Sequence, residues 1–440
     1  MRILLDQAVH DHRNRGNNSL LEVALSRFRK FWPEARFDVI SISPHFCKVY
    51  IEGVHPVDPL DFREQKSKFD LLYKYLPKPM WHWVFESREY LKEKTGFAFA
   101  LGKNHPIIRQ TRELESENAG GHRDLELKGT GQVPKSYYNI GQYDLYAATG
   151  GGYLCDSDKR FILSLFDRLA AAIAMGVPTV MVGQGIGPLE DPEILEKARA
   201  VLPQVDYLLI REERLTRPLL VSLRVPHEKI LMTGDDAIEP AYMARQSVIG
   251  KGIGLSLRVA HYTDVDLRHI QAIRPVILNA ARKYNAALIA APIDSNEDDR
   301  GYIAKVTTGY KKTLKSWKRF ESTGEVIGRI SRCRIMISGT FHGAVFALSQ
   351  GIPVIALTKS MEYENKISGL VAEFGEQGCQ IIKLDDQNLE NNLSGAIDFA
   401  WNFAEQLRPR LLEEAKRQID LGYAAYQKVF SLVEAKKRQR

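Results

Sequence analysis

The 440-residue sequence has only four cysteines, and they are widely scattered. Cys47, Cys155, Cys333 and Cys379 form no CxxC pair and no zinc-ligand spacing. This distribution excludes a disulfide framework and favours free thiols in a reducing compartment. The sequence also shows no cluster of metal ligands, so it requires neither a metal nor another cofactor.

A hydrophobic run long enough to span a membrane is also missing. The most apolar stretch, residues 161–182, is interrupted by Asp167, Arg168 and Pro178. The apolar stretch at the N-terminus is too short for a secretory signal. We therefore expect a cytoplasmic protein that is soluble or at most peripheral to the inner face of a membrane.

The composition, with 44% hydrophobic and 26% charged residues, is that of a soluble globular protein, and the length predicts two domains. The formal net charge is +7, and the last five residues, 436–440, contain four basic side chains. Such a run is usually a solvated tail. The alternative is contact with an anionic partner, such as a membrane surface or a phosphorylated substrate.

The chain reads as two successive sets of strands and helices, with a divide near residues 244–251. Strands are predicted at 3–5, 37–42, 143–149, 178–182, 207–210 and 230–232 in the first set, and at 252–258 and 286–291 in the second, with two more in 335–357. The first helix follows a polar turn at 14–19 and is capped by Asn18 or Ser19. This alternation indicates an α/β fold with parallel sheets. A final helical segment is expected to break near Pro409.

Two segments of the first set depart from this alternation. Residues 60–100 are aromatic and charged, which predicts helices packed on the domain, with a membrane- or acceptor-binding surface as the alternative. Residues 103–132 contain four glycines, many charges and no aromatic side chain. That composition predicts a mobile loop or a disordered insert.

The most informative stretch is residues 335–357, which reads as a buried strand, a glycine turn, a helix that opens at His342 and a second buried strand. This order puts His342 and the backbone around Gly339, Thr340 and Gly343 at the carboxyl end of a parallel strand, where ligands bind in open α/β sheets. A helix N-terminus favours anions and disfavours a protonated imidazole. We therefore predict that His342 is a neutral base beside a phosphate or carboxylate.

Further polar residues follow other predicted strands. Arg211 and Arg258 each end a buried strand, which leaves anion binding and an ordinary salt bridge equally open. Asp235 could orient an acceptor hydroxyl or cap the crossover between the domains. Lys366 and Glu364 lie in a segment expected on the same rim as the histidine, unless that segment is only a solvated helix start.

Two glycine-rich loops follow predicted strands of the first set. Gly150, Gly151 and Gly152 could bring backbone amides to an anion, or could form a tight strand-to-helix turn that needs positive φ. The loop at 183–187, which contains Gln184, lacks the spacing of a dinucleotide fingerprint and precedes Pro188. It is therefore not interpreted as a dinucleotide site.

In this order the motifs resemble the polysaccharide pyruvyl transferase family. The similar segments are 14–22 (which includes Asn17), 150–156, 182–189, 209–212, 231–236, 254–258 and the His342 unit with Lys366, and residues 50–135 are not covered. The resemblance implies a GT-B-like architecture of two Rossmann-like domains that face a cleft. We place an acceptor-side domain at 1–246, a donor-side domain at 247–392, and C-terminal helices with a basic tail at 393–440.

The resemblance also implies an activity, which is transfer of a pyruvyl group from phosphoenolpyruvate to hydroxyls of a sugar, forming a ketal. The acceptor would be a polysaccharide or its lipid-linked precursor, and no nucleic acid is implied. The family's motif histidine falls on His342. The family often has an arginine two positions earlier, where this chain has Thr340, so Arg211, Arg258 or Lys366 would hold the donor carboxylate and phosphate.

Two other functions remain open from the sequence. A GT-B glycosyltransferase would keep the fold and bind a nucleotide sugar in the second domain, with Glu362 or Glu364 on the ribose. A non-catalytic protein would use its basic tail to bind a membrane or nucleic acid, and would give no reason for His342.

Overall fold

Residues 1–7, 12–41, 43–57, 135–156, 159–259, 263–295, 297–315 and 321–439 are described by the computed structural model. The aromatic segment at 60–100 and the polar insert at 103–132 lie outside these ranges, so both predictions stand as made.

The first part of the chain forms a parallel sheet. We call this sheet and the helices packed on it the first lobe. Its strands are β1 (Arg2–Asp6), β2 (Arg36–Ile40), β3 (His55–Val57), β4 (Leu145–Ala148), β5 (Gly151–Leu154), β6 (Thr179–Ile186), β7 (Tyr207–Ile210) and β8 (Ile230–Met232). The order is β3-β2-β1-β4-β6-β7-β8, with β5 paired to β6. The helices are α1 (Arg15–Phe31), α2 (Pro44–Tyr50), α3 (Lys159–Ala174), α4 (Pro192–Val201), α5 (Thr216–Ser222) and α6 (Ile238–Met243).

The second lobe repeats this plan. Its strands are β9 (Gly252–Ser256), β10 (Leu288–Ala290), β11 (Thr313–Leu314), β12 (Cys333–Ser338), β13 (Val354–Thr358) and β14 (Cys379–Lys383), in the order β11-β10-β9-β12-β13-β14. The helices are α7 (Leu267–Lys283), α8 (Glu297–Thr307), α9 (Thr323–Ile330), α10 (Phe341–Leu348) and α11 (Met361–Phe374). All described strand pairs of this sheet are parallel.

Each sheet reverses its strand order once, between β1 and β4 in the first lobe and between β9 and β12 in the second. Ligands of doubly wound folds bind outside the carboxyl ends of the strands at such a reversal. The end of β12 leads directly into Thr340 and α10. The topology therefore puts the start of α10 at the binding position of the second lobe.

The C-terminal segment is one continuous helix, α12 (Leu389–Gln439), and Pro409 lies inside it. The predicted break is therefore wrong, because buried side chains along the helix hold it against both lobes. Its first part joins the core of the second lobe through Leu393, and its last part joins the core of the first lobe through Tyr426. The expected basic tail is also helical up to residue 439, and Lys436 Nζ lies 2.8 Å from Asp206.

Helix α1 begins at Arg15, earlier than the predicted caps Asn18 and Ser19. The side chain of Asn14 caps it by accepting hydrogen bonds from the backbone N–H groups of Gly16 and Asn17. The Arg15 N–H group donates to the Ile293 carbonyl of the second lobe at 2.9 Å. A contact between the lobes therefore fixes the start of this helix, which a local sequence pattern cannot reveal.

All four cysteines are buried and form no disulfide with one another; the sequence predicted thiols but not their burial. None of the helices in the described part of the chain combines the length and apolar character that a bilayer crossing needs.

Candidate active site

His342 lies in the first turn of α10, where the first lobe meets the second. Thr340 caps the helix by accepting a hydrogen bond from Gly343 N–H at 3.2 Å, and its Oγ1 lies 2.6 Å from Ser256 Oγ at the end of β9. Helix α1 of the first lobe packs closely against the His342 ring, because a Cβ added to Gly16 would lie 2.0 Å from His342 Cγ. Gly16 therefore lets α1 approach the imidazole ring.

The imidazole is held in its neutral form. Burial is the main cause that lowers the pKa of His342 to about 4, and the charges of Arg211 and Arg258 lower this pKa further, while Asp235 opposes the shift. At neutral pH the ring can therefore accept a proton. The direction of the shift agrees with the expected neutral base at a helix N-terminus.

Asp235 approaches His342 from the first lobe. Its Oδ2 lies 3.9 Å from His342 Nε2 and accepts a hydrogen bond from Arg211 Nη1 at 3.2 Å. Its Oδ1 accepts a hydrogen bond from Ala237 N–H at 2.9 Å. The structure therefore brings together three residues that the sequence proposed separately, namely Arg211, Asp235 and His342.

Arg211 also connects the two lobes. Its guanidinium carbon lies 4.0 Å from the ring centroid of Phe341, the residue before the histidine, which is a cation–π contact. Glycines of the first lobe surround it, since a Cβ on Gly185 or Gly152 would come within 2.5 Å or 2.7 Å of its side-chain nitrogens. A side chain at position 152 would collide with Arg211, which explains why this residue is glycine. This contact was not predicted from the sequence.

Lys366 lies beside the same group, since a Cβ on Gly152 would be 3.7 Å from its Cε. Its Nζ lies 2.7 Å from Glu362 Oε1 and 3.8 Å from Cys155 Sγ of the first lobe. The carboxylate of Glu364 pairs with Lys383, the last residue of β14, at 3.0 Å. The structure therefore brings Lys366 to the site, and a role for Glu364 on the same rim stays a prediction.

Arg258 contributes its charge from within a buried ion-pair network. Its guanidinium donates to both carboxylate oxygens of Asp299, at 3.0 Å and 2.7 Å, and lies 3.5 Å from Asp294. Burial raises the pKa of Asp299, and the adjacent Arg258 opposes this shift. The sequence left open whether this arginine forms an ion pair or binds an anion, and in the structure it forms the pair.

The backbone donors of the glycine turn differ from those expected. Gly339 N–H donates to the Ser256 carbonyl at 2.7 Å, and Gly343 N–H donates to Thr340. This corrects the prediction that these residues point their own N–H groups at an anion. The N–H groups of Phe341 and His342 have no acceptor among the described residues, so they are the donors that α10 offers to a ligand.

The glycine triplet does not form the tight turn with positive φ that the sequence left open as one of two alternatives. Gly151 and Gly152 begin β5, Gly151 pairs with Gln184, and none of the three glycines has positive φ. Gly150 is required by packing instead, because a Cβ there would lie 2.5 Å from the Gly183 carbonyl oxygen. Gln184 is buried and donates from Nε2 to the carbonyls of Ala148 and Thr149, so it holds the end of β4 in place.

Asn17 lies one residue from Gly16, in the first turn of α1. Its N–H donates to the Asn14 side chain at 3.2 Å, and its carbonyl lies 3.4 Å from Gln7 Nε2. Within the described part of the chain, no set of three or more His, Cys, Asp or Glu side chains is arranged to hold a metal ion.

Because the pKa of His342 is lowered in the folded protein, its contribution to stability depends on pH. The unfolded chain, with a histidine pKa near 6.5, binds more protons than the folded protein between about pH 6.5 and pH 4, so this contribution is lost as the pH falls. We predict that the wild type loses about 2 kcal/mol more unfolding free energy than His342→Gln between pH 7 and pH 5. Denaturation midpoints of both proteins at each pH measure this difference, and parallel curves would contradict it.

Comparison with known proteins assigns the chain to a family. A family model described as polysaccharide pyruvyl transferase matches residues 14–360, well over half of the chain. Solved structures share the fold. UDP-GlcNAc 2-epimerase from Neisseria meningitidis is 14% identical, with a TM-score of 0.51 and coverage of 96% of this chain and 99% of that chain.

Two further solved structures have the same fold. A glycosyltransferase from Rickettsia africae is 10% identical, with a TM-score of 0.51 and coverage of 98% of both chains. MnaA of S. aureus, solved with UDP, is 13% identical, with a TM-score of 0.52 and coverage of 94% of this chain and 91% of that chain. These likenesses show a two-lobed GT-B-like fold. The family match alone shows the family, and we conclude that this chain is a transferase that belongs to the polysaccharide pyruvyl transferase family.

Proposed function

We propose that the protein transfers a pyruvyl group from phosphoenolpyruvate to two hydroxyls of a sugar in a polysaccharide or its lipid-linked precursor, forming a ketal. The observation that carries this proposal is the neutral His342, buried between Arg211, Arg258 and Asp235 at the strand-order reversal of the second lobe. Membership of the family supports a glycan acceptor.

The reaction needs a group that first accepts and then donates a proton. A hydroxyl adds to C2 of the enol phosphate while its proton passes to His342, and in the same addition the C2–C3 electron pair takes a proton from His342 at C3, which becomes a methyl group. The second hydroxyl then replaces the phosphate, which leaves with the remaining proton. Two hydroxyl protons are thus lost, one to the methyl group and one to inorganic phosphate. A histidine that is neutral at the start suits this order.

The donor carries a carboxylate and a phosphate, so its site must supply positive charge. Arg211 and Lys366 are already oriented by Asp235 and Glu362, which limits the rearrangement that a bound anion requires. The N–H groups of Phe341 and His342 add the partial positive charge of a helix N-terminus. These groups lie at the meeting of the two lobes, so the donor would be held mainly by the second lobe, with Arg211 of the first lobe contacting it from the acceptor side.

Ligand stabilisation tests the donor without knowledge of the acceptor. A ligand that binds the native state at 100 times its Kd stabilises it by about 2.7 kcal/mol. We expect phosphoenolpyruvate to raise the melting temperature more than pyruvate, which lacks the phosphate, or inorganic phosphate, which lacks the carboxylate. A larger rise with UDP-GlcNAc than with phosphoenolpyruvate would contradict the proposal.

The products give the second test. With phosphoenolpyruvate and a mixture of lipid-linked and free glycans, we expect release of inorganic phosphate that depends on the glycan, and a ketal methyl group in the NMR spectrum of the product. Release of a nucleoside diphosphate from a nucleotide sugar, with none of phosphate from phosphoenolpyruvate, would assign the protein to glycosyl transfer instead.

A further inference from the structure

The two nitrogens of the His342 ring have different surroundings. Nε2 is buried without a hydrogen-bond partner and faces Oδ2 of Asp235 at 3.9 Å. Nδ1 lies on the edge next to α1, where a Cβ on Gly16 would be 2.1 Å from it. The side chain is 9% exposed, and the buried Nε2 does not account for that exposure. Nδ1 has no hydrogen-bond partner among the described residues and is not fully buried as Nε2 is, so the side of the ring away from Asp235 can be reached by a ligand.

Asp235 is held firmly in this orientation. It is 4% exposed, its Oδ1 accepts the Ala237 N–H group, and its Oδ2 accepts Arg211 Nη1. A carboxylate attracts an N–H group and repels a nitrogen lone pair, so it selects the imidazole tautomer that carries its proton on the facing nitrogen. For His342 that nitrogen is Nε2, which leaves the lone pair on Nδ1.

We infer that Asp235 is a positioning residue that keeps the His342 proton on Nε2, so that Nδ1 is the nitrogen that removes the proton from the attacking sugar hydroxyl, and that the lack of a side chain at Gly16 keeps Nδ1 from being covered. The role of Nδ1 in proton transfer rests on the proposed pyruvyl transfer, whereas the tautomer does not. After transfer, Nδ1 and Nε2 both carry a proton and the imidazolium charge faces Asp235. Nδ1 then returns its proton to C3 of the donor.

Contacts to His342 join the two lobes. Asp235 and Gly16 belong to the first lobe, and His342 belongs to the second. The 3.9 Å separation exceeds the 2.7–3.2 Å range of N–H···O hydrogen bonds. An approach of about 1 Å would form the bond. The tautomer is therefore fixed most strongly when the lobes come together around a ligand.

Nitrogen NMR of protein labelled with 15N-histidine tests the tautomer without any substrate. His342→Gln identifies the signals by their disappearance. We expect wild-type His342 at pH 7 to be protonated on Nε2 and unprotonated on Nδ1. Asp235→Asn presents an amide N–H to Nε2 and should move the proton to Nδ1, with about a 100-fold fall in kcat and a smaller change in the KM for phosphoenolpyruvate.

The opposite tautomer in the wild type would overturn the inference, even if Asp235→Asn does not fold. An unchanged tautomer and full kcat in folded Asp235→Asn would overturn it as well. A correct tautomer in a protein that does not use phosphoenolpyruvate would refute the proposed function and leave the tautomer assignment standing.

Gly16→Ala tests the access to Nδ1. Alanine is favourable within a helix, so a loss of function would come from the methyl group against the ring. We expect at least a tenfold fall in kcat and shifted His342 signals. Gly395→Ala is the matched control, because Gly395 lies in α12 with no atom within 4 Å of an added Cβ, and it should keep full activity. Wild-type activity and signals in Gly16→Ala would overturn the role of Gly16.

Discussion

Replacing His342 with glutamine should lower glycan-dependent phosphate release from phosphoenolpyruvate by about 1000-fold. General acid–base catalysis by one side chain contributes about 10²–10⁴-fold, and this histidine would act in both proton transfers of the reaction. Glutamine keeps much of the volume and polarity of the side chain but cannot take up a proton at neutral pH. The effect should appear in kcat, since the groups that hold the donor, Arg211 and Lys366, remain in place.

His227→Gln is the control for this experiment, because His227 is exposed, lies just before β8 and is not among the described contacts of His342. It should keep wild-type activity. Circular dichroism and the melting temperature check that both variants fold. Activity of folded His342→Gln within tenfold of the wild type would show that another group transfers the proton.

Replacing Arg168 with methionine should destabilise the protein by about 3–5 kcal/mol, because it leaves a buried carboxylate without its partner. Arg168 is 2% exposed, and Asp6 at the end of β1 is 0% exposed. The guanidinium donates to both oxygens of Asp6, at 2.6 Å and 3.2 Å, and the Tyr146 hydroxyl donates to the same carboxylate. Methionine fills the space but supplies no donor and no charge.

Arg217→Met is the matched control for the buried pair. Arg217 pairs with Glu213 on the surface, where such pairs contribute only about 0–1 kcal/mol. Urea denaturation of the two variants compares their midpoints. Asp6→Asn combined with Arg168→Met should recover part of the loss, because the unpaired charge is gone. Equal midpoints for Arg168→Met and the wild type would contradict the expected effect.

The sequence by itself determined the parallel α/β character of both lobes. Strands such as β7 and β8 have the predicted bounds because their apolar runs are short and end at polar residues. It also placed His342 at a helix start after a strand, since Gly339 and Thr340 interrupt the apolar run there. These features depend on neighbours in the chain, and local patterns report them well.

The tertiary structure decided what each polar residue contacts. Arg168 interrupts an apolar stretch in the sequence, yet it is buried because Asp6, 162 residues away, neutralises it. Gly16 reads as part of a polar turn, yet it lies against His342 of the other lobe. Pro409 signals a break, yet packing against two lobes outweighs the one lost hydrogen bond. Contacts between distant segments leave no local pattern, so only the folded chain reveals them.

The candidate active site also combines features that the sequence predicts with features that only the fold determines. The sequence predicted Arg211, Asp235 and His342 as separate strand-end or helix-start residues. Their distances, and the opposite surroundings of the two imidazole nitrogens, follow from the way the two lobes pack, which brings the chain after β7 and β8 of the first lobe to the start of α10 at the strand-order reversal of the second lobe. The residue types set which chemistry is available, and the packing of the lobes set which atoms meet.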